Sequence, residues 1–201
     1  MIILDKTAIL CALIILSQIA VIIYFIRSRR IKARHQKKHN NTPENAYSEL
    51  RKLALQVTPH QLKLAIPNSD LFIYGLVMDW DMGKVTVTLA AYITGACSLY
   101  LNTGGGFIKG GQDPEVAEMA VELLTLAKDY INMAAPVDTT GLPGPLSVRF
   151  YFLTNHRMYA GEEKMERFDD STSPWLPFFE KANVVISGMR SKGHGALSDL
   201  N

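Results

Sequence analysis

Leu71-Phe72-Ile73-Tyr74-Gly75-Leu76-Val77-Met78 runs almost without a polar break. Asp79-Trp80-Asp81-Met82-Gly83 follows with turn-forming residues, and Lys84-Val85-Thr86-Val87-Thr88-Leu89 then alternates polar and apolar. A continuous apolar run suits a strand covered on both faces, whereas alternation suits a strand covered on one. Two such runs joined by Asp- and Gly-bearing residues predict a β-hairpin, with residues 79–83 as its turn. An antiparallel pair at the centre of the chain sets the fold class, and the flanking segments extend it.

Downstream, Gly95 breaks the pattern and Cys97-Ser98-Leu99-Tyr100-Leu101 alternates as a third strand. Asp113-Pro114 is a helix start, and Val116, Ala120, Val121, Leu124, Ala127 and Ile131 keep a helical period to about Ala134. Residues 136–145 hold three prolines and read as a loop. Leu146 to Leu153 is a strand, Thr154–His156 a turn and Met158 the start of another strand. Ser173-Pro174 opens a last helix with Trp175, Phe179, Ala182, Val185, Ile186 and Met189 facing inward. Upstream, Thr42-Pro43 starts a helix whose Tyr47, Leu50, Ala54 and Val57 share one face, and Thr58-Pro59 opens a short turn. Neighbouring strands with separate helices, and no repeating βαβ unit, predict an α+β domain over residues 42–190: an antiparallel sheet flanked by helices. The Gly- and Ser-bearing stretch 191–201 is predicted to be a flexible tail.

This element order resembles the roadblock and profilin-like class of small α/β/α sandwiches, several of which serve as dimerising scaffolds. The resemblance spans residues 42–190 and carries no site residue over onto this chain. It implies a protein partner or a homo-oligomer.

The first 41 residues are of another kind. Thr7 to Ile26 (TAILCALIILSQIAVIIYFI) is twenty residues without a charge. At about 1.5 Å per residue it matches the roughly 30 Å hydrocarbon core of a bilayer, so a transmembrane helix is expected over 7–26. A cleaved signal peptide would be shorter and followed by small residues; here Arg27-Ser28-Arg29-Arg30 follows instead. Arg27, Arg29, Arg30, Lys32, Arg34, Lys37 and Lys38 form a basic juxtamembrane linker over 27–41, against only Lys6 and Asp5 in the short stretch 1–6. The positive-inside rule then places the N-terminus outside and the body in the cytoplasm, with anionic lipid headgroups as a possible contact of residues 27–38. Residues 1–39 hold eight of the 21 Lys and Arg and one of the 19 Asp and Glu, leaving the remainder with a net charge of −5. That balance argues against nucleic-acid binding by the folded part. Two cysteines, Cys11 and Cys97, give neither a disulfide framework nor a Cys-based zinc site.

Two local features invite chemistry. Gly104, Gly105, Gly106, Lys109, Gly110 and Gly111 lie between a strand and a helix start, where phosphate loops sit. Yet Gly111-Gln112 stands where a Walker loop has Lys-[ST], Lys109 replaces the last glycine of a dinucleotide fingerprint, and Asp113 and Glu115 would repel phosphate. Asp79 and Asp81, two apart, are candidate metal ligands. In isolation they resemble the D-x-D start of haloacid-dehalogenase-like phosphatases, but a strand directly after Gly83 contradicts the parallel arrangement those enzymes need. Turn chemistry on a solvated face is the expectation for both, with Trp80 between them as a partner-contact candidate. The acidic run Glu162 to Asp170 reads as a solvated edge. No nucleophile, base and orienting group assemble in the sequence, and no cofactor is implied. The expected function is therefore a membrane-anchored interaction or scaffold protein, non-enzymatic. The alternative is a membrane-tethered nucleotide- or phosphate-binding enzyme or sensor built on Asp79, Asp81 and the Gly104–Gly111 loop.

Overall fold

The structure is a computed structural model that describes residues 42–66, 70–108 and 110–192. The expected span 7–26, the basic residues Arg27 to Lys38, Lys109 and residues 193–201 lie outside the described residues. No helix among the described residues is long and apolar enough to cross a membrane.

Seven antiparallel strands form one sheet: β1 (Ile73–Asp81), β2 (Thr86–Tyr92), β3 (Cys97–Leu101), β4 (Gly106–Phe107), β5 (Ala135–Pro136), β6 (Ser147–Thr154) and β7 (Met158–Lys164). Their spatial order is β4-β3-β2-β1-β6-β7-β5. Helix α1 (Pro43–Leu55) lies on one face. Helices α2 (Pro114–Tyr130) and α4 (Leu176–Lys192) lie on the other, with the short α3 (Met165–Asp169) beside them. The α+β class with an antiparallel sheet and flanking helices is thus as the sequence indicates.

Sandwiching makes the central strands apolar on both faces. Leu76 and Met78 of β1, Val87 and Leu89 of β2, and Phe150 and Phe152 of β6 point toward α2 and α4. Val77, Ala90 and Tyr151 point toward α1. This corrects the reading of β2 as half-exposed: all seven of its residues are buried, and its polar positions Thr86 and Thr88 face the α1 side. The alternation that predicted a solvated face instead marks the polar side of a buried interface. The hairpin turn is also shorter than expected, because β1 continues through Asp79 and Trp80 to Asp81.

The α2 and α4 layer is held by aromatic stacking. Trp175 stacks on Phe150 with centroids 5.1 Å apart, Phe178 on Tyr130 at 4.7 Å and Phe179 on Phe168 at 4.6 Å. Gly161 of β7 lets Trp175 approach, since a Cβ there would lie 2.3 Å from the indole. The helix start at Asp113-Pro114 is as the sequence predicts: the Asp113 side chain accepts from the Glu115 and Val116 amides. Helix α4 runs to Lys192, two residues beyond the expected end of the domain. Glu163 departs from the solvated edge expected for its segment. It is buried, pairs with Arg167 at 3.0 Å and accepts from Ser173 Oγ at 2.8 Å.

Phe178 is fully buried at the centre of the aromatic cluster. Phe178→Ala is expected to cost about 3–5 kcal/mol. The exposed Leu53→Ala on α1 should stay within about 0.5 kcal/mol. Denaturant unfolding of the full chain in detergent measures both, and equal effects would contradict this placement of the core.

Candidate functional site

A polar row crosses five strands on the α1 side of the sheet. The register sets Tyr100 of β3 beside Thr88 of β2, Thr88 beside Asp79 of β1, Asp79 beside Arg149 of β6, and Arg149 beside Glu162 of β7. Helix α1 lays Tyr47 and Arg51, one turn apart, over the middle of this row.

Asp79 is fully buried. Arg51 Nε and Nη2 donate to its Oδ2 at 2.9 and 2.6 Å, and Thr88 Oγ1 donates to its Oδ1 at 2.6 Å. Tyr47 Oη and Thr88 Oγ1 lie 2.8 Å apart and share a hydrogen bond. The guanidinium also holds the Pro-rich loop. Arg51 Nη1 donates to the Thr140 carbonyl at 2.8 Å and Nη2 to the Gly141 carbonyl at 3.0 Å. Tyr151 Oη donates to the same Gly141 carbonyl, and its ring lies 5.7 Å from the Arg51 guanidinium carbon. Further along, Arg149 pairs with Glu162, which accepts from the Gly144 amide at 2.8 Å. Asp81 Oδ1 accepts from the Leu146 amide at 3.0 Å. Carbonyls and amides of residues 140–146 are thereby pinned to α1, β1, β6 and β7. Leu146 is held with a left-handed φ of 51° and its side chain largely exposed.

The electrostatics follow from burial. Desolvation opposes the charge of Arg51, but hydrogen bonding to Asp79 and the field of that carboxylate outweigh it and leave the guanidinium above its ordinary pKa. Burial raises the Tyr47 phenol to about 12, the Thr88 hydrogen bond opposing and the Asp79 charge adding. No buried side-chain nitrogen or oxygen among the described residues lacks a partner. The row is saturated internally, which is the condition for a buried ion pair to be tolerated.

The expectation that Asp79 occupies a solvated turn is therefore corrected. Asp81 does what a turn aspartate does, accepting from the Gly83 amide at 2.9 Å. Asp79 lies inside a central strand, on the face that α1 covers. A signal for it was present in the sequence: Arg51 shares its helix face with Tyr47 and Ala54, and a charge on an apolar stripe requires an opposite charge beneath it. Trp80 points to the opposite face, half-buried, edge-on to Phe179 at 5.1 Å.

The glycines lie apart from Asp79. Gly104, Gly105 and Gly106 turn the chain from β3 into β4 with positive φ. At Gly106 both conformation and space exclude a side chain, since φ is +146° and a Cβ would lie 2.3 Å from the Leu99 carbonyl oxygen. Gly111 passes so close to the backbone that a Cβ would lie 2.5 Å from the Gly95 oxygen. Gly110 packs against Cys97 Sγ and Met189, on the α2 and α4 side of the sheet, so the sheet separates it from Asp79. The N-terminus of α2 holds its own carboxylates: Asp113 caps the amides, and Lys192 Nζ is 2.7 Å from Glu115. Burial raises the Cys97 thiol to about 11, which keeps it protonated and unreactive at neutral pH. No group of three or more His, Cys, Asp or Glu among the described residues is placed to hold a metal ion.

Comparison with protein-family models, with curated proteins and with solved structures finds no match to this chain.

Asp79→Ala leaves the Arg51 charge buried and unpaired and is expected to cost about 3–5 kcal/mol, while Arg51→Met with Asp79→Leu recovers most of that loss. Unfolding of the two variants measures the difference, and equal losses would contradict the pairing. Alkaline pH supplies a second test. Cys97 and Tyr47 have native pKa values raised from 9.0 to about 11 and from 10.0 to about 12, so the native state binds more protons than the unfolded one there. Their contribution is complete below about pH 9 and is lost as pH rises through 11 and 12. The melting temperature should fall over that window, and less steeply in Cys97→Ser with Tyr47→Phe.

Proposed function

We propose that this chain is a membrane-anchored interaction protein: residues 7–26 span the bilayer, residues 27–41 lie at its cytoplasmic surface, and the α+β body recruits a protein partner. The observation that carries this reading is the state of Asp79. The carboxylate best placed to serve an enzyme is fully buried, with both oxygens engaged by Arg51 and Thr88. It stabilises the attachment of α1 and the 140–146 loop to the sheet, and the Gly-rich segment likewise serves close backbone contacts. Support for the anchor comes from the sequence: an uncharged stretch of membrane-spanning length followed by seven basic residues. The net charge of −5 outside residues 1–39 favours a protein partner over lipid or nucleic acid for the body.

Three measurements on the full-length protein in native membranes test this. Carbonate extraction should leave it in the membrane, and protease added to intact cells should spare the body. A defined partner should co-purify and persist in Asp81→Asn with Lys109→Ala. Release by carbonate would contradict the anchor. Loss of the partner in that double variant, together with a nucleotide-induced melting shift of the parent, would favour the enzyme or sensor alternative.

A further inference from the structure

Between Thr140 and Leu146 the chain turns its polar groups inward and its apolar side chains outward. The carbonyls of Thr140, Gly141, Leu142, Pro145 and Leu146 and the amides of Gly144 and Leu146 bond to residues of α1, β1, β6, β7 and α3. Leu142 and Leu146 are meanwhile 51% and 56% exposed, and Pro145 is exposed between them. Surface loops ordinarily present polar side chains instead. Leu146 is the telling residue. Its φ of 51° lies in the left-handed region, where glycine or asparagine sits at little cost and leucine does not. Asp81 Oδ1 and the Met165 amide hold its backbone there. Its side chain lies over Gly83, where a Cβ would meet Leu146 Cδ2 at 3.5 Å. Neither backbone preference nor burial accounts for a leucine at this position, and a contact made outside the chain does.

The same loop defines what it fits. Pro143 and Pro145 have fixed φ, and proline biases the residue before it toward extended backbone. Leu142 to Pro145 is therefore extended and ordered before any partner arrives. The charges that bond to the loop are paired within the chain, Arg149 with Glu162 and Arg51 with Asp79, so none is left to steer a charged ligand. Extended proline-bearing apolar segments are bound in aromatic-lined grooves, because a stiff backbone loses little entropy on binding. A second copy does not offer that groove: the clefts of about 610, 400 and 540 Å³ lined by described residues have one aromatic among them, Tyr92. Five loop residues also fall far short of the roughly 20–30 per side of a standard interface, so a symmetric dimer does not stand on them. The partner has to enclose the segment.

We propose that Leu142-Pro143-Gly144-Pro145-Leu146 is the recruiting element of the interaction protein described above, a preformed apolar ligand that inserts into an uncharged, aromatic-lined groove of a protein partner. The inference rests on the interaction-protein reading and names the partner's chemistry. Leu142 and Leu146 anchor the contact, and the hydrogen bonds beneath the loop spare the partner the cost of ordering it.

The test is photocrosslinking of the full-length chain in native membranes, with Leu142 replaced by photoreactive p-benzoylphenylalanine. The same replacement at Leu53, exposed on α1, is the control. Position 142 should give one adduct with a protein other than this chain, in a yield insensitive to salt, and position 53 should not. A cyclic peptide of residues 140–147 should compete the adduct away at a concentration at least ten-fold below that of the linear peptide, because only the cycle is preordered. Leu146→Gly removes the side chain and suits the left-handed backbone, so the melting temperature should hold or rise while adduct yield falls at least ten-fold. Adducts with lipid alone, adducts of twice the chain's mass, or equal yield from position 53 would overturn the proposal. So would equal competition by the two peptides, undiminished yield in Leu146→Gly, or a lower melting temperature in that variant, which would assign Leu146 to the fold. A partner that co-purifies with the parent and is retained by Leu146→Gly would overturn the loop while leaving the interaction-protein reading intact. A parent chain with which no partner co-purifies would overturn both.

Discussion

One buried ion pair organises the α1 side of this molecule. Arg51 of α1 and Asp79 of β1 lie 28 residues apart in the chain; the aspartate is fully buried and the arginine nearly so. Burying an ion costs several kcal/mol unless its remaining donors and acceptors are satisfied, so the pair dictates its surroundings. Asp79 needs a donor on its second oxygen, and Thr88 is directly across the strand pair. Arg51 has donors left over, and the carbonyls of Thr140 and Gly141 take them. The position of α1, the polar side of β2 and the path of the 140–146 loop are thus answers to one electrostatic requirement. Replacing the pair by apolar residues would relax that requirement without forbidding the fold, so its role is to fix one arrangement of the layers.

The two faces of the sheet are stabilised differently. Toward α2 and α4 the contacts are aromatic and aliphatic, non-directional and tolerant of small shifts. Toward α1 the contacts are directional, and small shifts would orphan a buried charge. Helix α1 is on the directional face, which gives it one register on the sheet.

Much of this was legible in the sequence. The hairpin, the third strand at Cys97–Leu101 and the helix start at Asp113-Pro114 follow from periodicity and capping chemistry, which are local. Only half of the ion pair was legible: Arg51 on the apolar face of α1 called for a buried acid, but two aspartates flanking a tryptophan before Met82-Gly83 look like turn residues until α1 is placed over them. Strand pairing at β4 and β5 was equally hidden. Each is two residues long, one inside a glycine run and one containing Pro136, and only the neighbouring strand gives them a ladder. The glycines were conspicuous for the right reason and the wrong chemistry. Gly106 and Gly111 are required where backbone meets backbone at 2.3 and 2.5 Å from a notional side chain, a constraint that only the three-dimensional path creates.

The account stands on the claim that Arg51 and Asp79 couple α1 and the 140–146 loop to the sheet as one unit. Hydrogen exchange of the full-length protein carrying Asp79→Asn, compared with the parent chain, tests that claim most directly. The coupling predicts that amides of residues 47–55 and 137–146 lose protection together, by similar factors, while those of β3 and α2 keep theirs. Loss of protection in one segment without the other, or in neither, would contradict it.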